Sequence, residues 1–147
     1  MQWQDLLRCP KTTGRVRLAR DGSKVLVEHA GLTYPVIDGI IDFCPESRDR
    51  ISDAYDGAVS RYDACITAST FSMKMVSRII WGRASDQDPL DQVLSRFPDQ
   101  FYGVLVEVPV GTGVFTSSVY HRYPEATIIG VDYSMSMLQK ARIRFEH

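Results

Sequence analysis

The period of the hydrophobic positions changes twice along the chain. Residues 1 to 47 alternate: GRVRLARDGSKVLVEH has two alternating runs around Asp21-Gly22, with Val25 and Val27 on one face. This is the pattern of a hairpin whose turn needs residues tolerant of positive φ. GLTYPVIDGIIDF adds two short apolar pieces separated by Asp38-Gly39, so this part predicts about four short strands. From 48 to 100 the spacing lengthens to three and four. Ile51, Ala54, Tyr55, Ala58, Tyr62 and Cys65 form one stripe, Phe71, Met75, Val76, Ile79 and Ile80 a second, and Leu90, Val93, Leu94 and Phe97 a third. Such stripes predict helices burying one face, stopped at Gly82 and at Pro98, and core packing is the first reading of each residue in them.

Between 101 and 147 strand and helix alternate. VLVEV, 104 to 108, is apolar on both faces save Glu107, which predicts a strand covered by helices. A helix from about 114 to 122 ends before Pro124, ATIIGVD, 126 to 132, predicts a second buried strand, and Ser134 is a good N-cap for a helix with Met137, Leu138, Ala141 and Phe145 on one stripe. The order β-α-β-α implies a right-handed crossover and two adjacent parallel strands. The expected class is α/β, preceded by a small β-rich domain at 1–47 and a helical segment at 48–100.

Composition narrows the partners. Seventeen Lys+Arg against eighteen Asp+Glu, with no block of one sign, give no bulk attraction to nucleic acid or to an anionic membrane. No apolar run approaches the roughly 18 to 20 residues of a membrane span, and Met1 is followed by Gln-Trp-Gln-Asp rather than by a signal segment. A cytoplasmic protein is expected. Three widely spaced cysteines, Cys9, Cys44 and Cys65, predict packing rather than a disulfide framework. His29, His121 and His147 have no partners at metal-ligand spacing, and no nucleophile motif occurs, so neither a metal site nor a hydrolytic site is expected.

The chemistry concentrates in VEVPVGTGVF, 106 to 115. A strand, a glycine turn and a helix bring backbone N–H groups to the carboxyl edge of a parallel sheet, where open α/β folds bind ligands. Nineteen residues after Gly113, at the end of the next strand, Asp132 is placed to accept from two ribose hydroxyls, which predicts a nucleoside ligand. The dinucleotide pattern G-x-G-x-x-G asks for a third glycine where this chain has Thr116. An NAD-binding protein is therefore the lesser alternative. Pro109 has no N–H to offer, so backbone contact is expected from Gly111, Thr112 and Gly113.

VLVEVPVGTGVF followed by TIIGVDYSMSMLQKAR resembles the first motif and acidic second strand of class I S-adenosylmethionine-dependent methyltransferases, E/D-x-G-x-G-x-G and then G-x-D-x-S-x-x-M-L. The glycine positions fall on Pro109, Gly111 and Gly113, and only the first departs. Tyr55-Asp56-Gly57-Ala58-Val59-Ser60-Arg61-Tyr62-Asp63 is similar to the opening helix of the ubiquinone and menaquinone biosynthesis branch, and Trp81-Gly82 to a later one. The resemblance implies the N-terminal part of a Rossmann-like fold with S-adenosylmethionine as cofactor. It implies that Gly111, Thr112 and Gly113 approach the methionine part, that Glu107 anchors the loop and the cofactor's amino group, that Asp132 binds the ribose, and that Tyr133 lies against the adenine. Tyr62 would close over the cofactor. Read from the residues alone, Glu107 has the alternative of a capped strand charge, Tyr133 of a surface aromatic and Asp132 of an extended cap of the helix after it, with ribose binding the better reading of Asp132 from its position after Gly130-Val131.

Residues 1 to 47 resemble the zinc-ribbon-like domain of the tRNA-methyltransferase activator family, through Leu6-Leu7-Arg8-Cys9-Pro10, Gly14 and Tyr34-Pro35-Val36-Ile37-Asp38-Gly39-Ile40. Four ligands are needed to close a zinc tetrahedron, and here Cys9 stands alone, with Thr12 in its partner's place. Apolar faces must hold this domain.

A methyltransferase would use these parts to hold cofactor and acceptor at attack distance, worth roughly 7 to 11 kcal/mol. No general base can be named, so the catalytic residues are unknown. The acceptor expected is a small molecule or a lipid-like quinone rather than RNA. The resemblance implies seven strands of which two are present here, so a fragment, a truncated product or a homo-oligomer that completes the sheet is expected, inactive alone. The alternative of another class is a non-catalytic interaction or activator module for a methyltransferase partner.

Overall fold

The computed structural model describes residues 3–45, 63 and 94–146. The chain divides into two compact units, Met1–Asp53 and Ala54–His147. Most of the three helical stripes, the Tyr55 to Tyr62 motif, Trp81-Gly82 and Cys65 lie outside the described residues. Among the described residues no helix is long and apolar enough to cross a membrane.

The first unit is an antiparallel meander in the order β1-β2-β3-β4, with β1 Val16–Leu18, β2 Lys24–Val27, β3 Thr33–Ile37 and β4 Ile40–Ile41. Its two short turns carry the expected chemistry. At the first, Gly22 has φ 71, and the Asp21 carboxylate accepts from the amide and the hydroxyl of Ser23 at 3.1 and 2.9 Å. At the second, Asp38 and Gly39 both have positive φ, 49 and 76, between the paired Ile37 and Ile40. Two consecutive positive φ values are the signature of a type I′ hairpin, whose twist matches that of the strands it joins.

Register puts Val16 opposite Val27 and Val25 opposite Tyr34, so their side chains share one face. Those four and Cys9 are buried, with Leu7, Leu32, Val36, Ile41 and Phe43 packed around them. Burying each valine contributes about 1.5–3 kcal/mol, and no metal is required to explain the cluster. Cys9 sits in a tight turn closed by Cys9 N–H to Gly14 O and Thr13 N–H to Cys9 O. Its Sγ lies 3.3 Å from the Tyr34 hydroxyl. Burial acts to raise its pKa, but hydrogen bonds from the Thr12 and Tyr34 side chains and from the backbone of Lys11 and Thr12 outweigh it and bring the thiol down to about 7. Cys44 is exposed.

The second unit contains mixed strand and helix around a parallel pair. β5, Val104–Glu107, runs beside β6, Thr127–Gly130, in the register Val104↔Thr127 to Glu107↔Gly130. The ladder stops one residue short of the expected strand end, because Pro109 has no N–H to continue it. The Val108–Pro109 peptide is cis. Between the strands lies α1, Ser117–Tyr120, and after them α2, Met135–Phe145.

The expected helix over 114–122 is thus much shorter. Gly113, at φ 68, stands outside the helical region, and four-residue closures, Tyr120 to Thr116 and His121 to Ser117, are mixed with three-residue ones, Val119 to Thr116, Arg122 to Val119 and Tyr123 to Tyr120. Such tight closures poorly sustain a long α-helix. In α2 the Ser134 side chain accepts from the Met137 amide, as a cap should.

A core of Val119, Tyr120 and Tyr123 is packed by Leu94, Phe97, Phe101, Leu105, Ala126, Ile128 and Phe145. Leu94 and Phe97, from the third stripe, are core residues. The Tyr123 hydroxyl donates to the carbonyl of Pro98. The expectation of a strand covered on both faces is not met: Val106 is 57% and Val108 66% exposed, while Leu105 packs on the core. Alternation in a strand sends these residues to opposite faces, and the aromatic cluster covers only one.

Candidate functional site

The carboxyl ends of β5 and β6 carry the two acids that the spacing singled out. Parallel pairing of Glu107 with Gly130 puts both strand ends at one edge of the sheet, and the chain then turns through Pro109–Gly113 on one side and Val131–Ser134 on the other. The turns are stitched together. Val131 N–H donates to Glu107 O at 3.0 Å and Val110 N–H to Val131 O at 2.9 Å.

Asp132 spans them. One of its oxygens accepts from the Gly111 amide at 2.8 Å and the other from the Ser134 amide at 2.9 Å. Both the ligand reading and the helix-cap reading of this residue are therefore chemically open. A carboxylate has about four acceptor sites, so each oxygen retains capacity for a hydroxyl.

Glu107 is held differently. A single oxygen, Oε2, accepts from the hydroxyls of Thr116, at 2.8 Å, and Tyr120, at 2.5 Å. Its Oε1 makes no hydrogen bond among the described residues. Burial, and then the Glu107 carboxylate, push the Tyr120 phenol well above the ordinary tyrosine range, so it stays protonated and donates. Thr116, at the position where a dinucleotide loop would carry its third glycine, thus has a positive role in holding the strand-end acid. Periodicity cannot show that role, because the two residues meet only when the turn folds back.

The glycines divide their work. Gly111, at φ 57, has nothing within 4 Å of where a Cβ would stand, so its face of the loop is open. Gly113, at φ 68, lies against the α2 helix, and a Cβ there would fall 2.7 Å from two ring carbons of Phe145. Of the three loop amides, Gly111's is committed to Asp132 and Gly113's to Val110 O at 3.0 Å. The Thr112 amide makes no hydrogen bond among the described residues.

Thr112 also exposes what sequence reasoning missed. Its side chain is buried, and its hydroxyl donates to Asp63 Oδ1 at 2.5 Å. The other oxygen of Asp63 receives Arg144 Nη2 at 2.8 Å. Asp63 closes the Tyr55 to Asp63 motif, one residue after the Tyr62 that the resemblance assigns to the cofactor. The available signal was an acid in that motif and a threonine between two glycines. Tyr133 is 53% exposed beside Asp132, and Tyr62 lies outside the described residues.

Three features at this edge bear on a ligand: acceptor capacity on Asp132, an open face at Gly111, and a Thr112 amide without a hydrogen bond among the described residues. Together they supply an acid for hydroxyls and a backbone donor beside it.

Comparison with known proteins adds partial similarities. No family model and no solved structure matches the chain. Over 64 residues, 40% of this chain and 25% of the other, it is 34% identical to the trans-aconitate 2-methyltransferase of Deinococcus radiodurans. A short N-terminal segment of 36 residues, 24% of the chain, is 47% identical to a UPF0434 protein of Pseudomonas paraeruginosa and 44% identical to one of Pseudomonas putida, covering 59% of each. The chain therefore spans about a quarter of the length of the first relative and about three-fifths of the others. One part of it is similar to a methyltransferase and another to a small bacterial protein.

Proposed function

We propose that the second unit is the cofactor-binding portion of an S-adenosylmethionine-dependent methyltransferase with a Rossmann-like fold. The observation that carries this reading is the Asp132 carboxylate at the end of β6, held against the glycine loop by Gly111 with an acceptor site left on each oxygen. The partial similarity to a methyltransferase supports it. In this reading Asp132 takes the ribose hydroxyls, Thr112 offers its amide, Glu107 presents Oε1 to the cofactor's amino group, and Tyr133 lies against the adenine. Tyr62, Gly111 and Gly113 complete the set, the glycines by letting the backbone approach. When bound, the cofactor supplies an electrophilic methyl group, and the protein's work is to hold it and the acceptor in line.

The acceptor is read as a small or lipid-like molecule. Near-neutral charge argues against a nucleic acid, and the acceptor in the relative's name, trans-aconitate, is a small molecule. The exposed face at Val106 of β5, with Val108 just beyond the strand, fits a covering layer of helix supplied by a longer chain or by a second copy.

Calorimetric titration of S-adenosylmethionine into the chain, with NAD as the competing cofactor, tests the reading. Saturable heat with the first alone, weakened at least tenfold by Tyr133→Ala and by Asp132→Ala, is expected. Tyr133→Ala leaves the loop bonds of Asp132 in place, so it separates lost contact from lost structure. Heat with NAD alone transfers the assignment to a dinucleotide-binding protein. The absence of heat with either leaves the interaction-module reading, which the self-contained core of the first unit favours.

A further inference from the structure

Thr112 and Arg144 reach the same carboxylate from different elements. Thr112 belongs to the glycine loop and Arg144 to the last turn of α2, and Asp63 accepts from the first on Oδ1 and from the second on Oδ2. Neither partner is fully solvated: the ion pair has side chains 30% and 21% exposed, and Thr112 is 1% exposed. A hydroxyl that is buried must be matched, and a charged acceptor makes the bond stronger than a neutral one.

The same stretch of loop meets the same end of the helix a second time, where Gly113 approaches the Phe145 ring and the Ala141 Cα. That approach is apolar contact, and it stands beside backbone bonds from the Gly111 amide to Asp132 and from the Gly113 amide to Val110 O. The Asp63 bridge adds direction on the adjacent residue. Through the Thr112 hydroxyl it ties down the residue whose amide makes no hydrogen bond among the described residues.

We propose that Asp63 is a positioning residue for the glycine loop: by holding the Thr112 hydroxyl against Arg144 of the α2 helix, it orients the Thr112 amide toward the ligand without touching the ligand itself. The proposal rests on the reading of this loop as a cofactor site, but its structural half can be measured without any cofactor. Asp63→Asn keeps an oxygen for Thr112 and removes the charge that Arg144 meets. Thr112→Val removes the hydroxyl with little change of shape, and Thr112→Ser restores it.

The test pairs two readouts on the intact chain. Amide hydrogen exchange at Gly111, Thr112 and Gly113 reports loop order directly, and calorimetry with S-adenosylmethionine reports affinity. Asp63→Ala and Thr112→Val are expected to speed exchange at those three residues, with exchange in β6 unchanged. Each is expected to weaken the cofactor roughly tenfold, about 1.4 kcal/mol, with Thr112→Ser close to the parent. The double variant Asp63→Ala with Thr112→Val should be little worse than Asp63→Ala alone, because that variant already removes the bond that Thr112→Val removes. A parent that binds while every variant keeps its affinity within twofold and its loop exchange unchanged overturns the role of Asp63 and leaves the cofactor reading standing. A parent that does not bind defeats the cofactor reading, and with it the ligand half of this proposal. Unchanged exchange in Asp63→Ala would overturn the other half as well.

Discussion

The amide of Gly111 donates to the carboxylate of Asp132 at 2.8 Å, joining the turn after β5 to the turn after β6. A residue expected to serve a ligand is therefore also a brace of its own loop. Any account of Asp132 has to separate those roles.

Asp132→Ala should lower stability in the absence of any ligand, since it leaves the amides of Gly111 and Ser134 without their acceptor. A loss of roughly 1.5–3 kcal/mol is expected for a bond to a charged group. Asp132→Asn, which keeps an acceptor oxygen, should lose less. Urea unfolding of the two variants beside the parent checks the order, and midpoints equal to the parent's would mean that the latch contributes nothing.

Gly111 and Gly113 share a positive φ but not a neighbourhood. Gly111→Ala should cost only the backbone strain, roughly 1–2 kcal/mol. Gly113→Ala adds a collision with the Phe145 ring, and overpacking of that kind costs about 1–3 kcal/mol more. Thermal unfolding should rank Gly113→Ala well below Gly111→Ala. Replacing Phe145 by leucine should relieve part of the difference.

Tyr120 ties stability to alkaline pH. Its phenol is raised by burial and by the Glu107 carboxylate, so folding favours the protonated form. Its contribution is therefore fully present below the ordinary tyrosine value of about 10 and is lost as pH rises beyond it. Tyr120→Phe should flatten the alkaline limb of the stability profile and, at neutral pH, lose roughly 1.5–3 kcal/mol for the missing bond to the Glu107 carboxylate. Chemical denaturation from pH 7 to 11 measures both; an unchanged alkaline limb in the variant would contradict the assignment.

The two described cysteines should separate by access rather than by acidity. Cys9 has a thiol brought down to about 7, yet its residue is 1% exposed, whereas Cys44 is exposed. Alkylation followed by peptide mapping should label Cys44 within the native protein and Cys9 only as the first unit unfolds. Early labelling of Cys9 would show that its turn opens readily.

Local pattern determined much of this protein. Asp21-Gly22 and Asp38-Gly39 announce turns because few residues accept positive φ, and the alternation of Val25 and Val27 names the buried face because a strand has period two. Ser134 is legible as a cap, and the acids Glu107 and Asp132 as strand-end residues, from spacing alone. What needed tertiary structure were the partners of side chains far apart in sequence. Thr116 and Tyr120 converge on one oxygen of Glu107, and Thr112 and Arg144 on the carboxylate of Asp63. The short extent of α1 and the open face of β5 belong to the same class, since both follow from where the turn and the aromatic cluster lie in space. Periodicity records which face a residue takes. It carries no record of which group waits on that face, because hydrogen-bond partners are chosen by proximity after folding, and proximity depends on every turn between them.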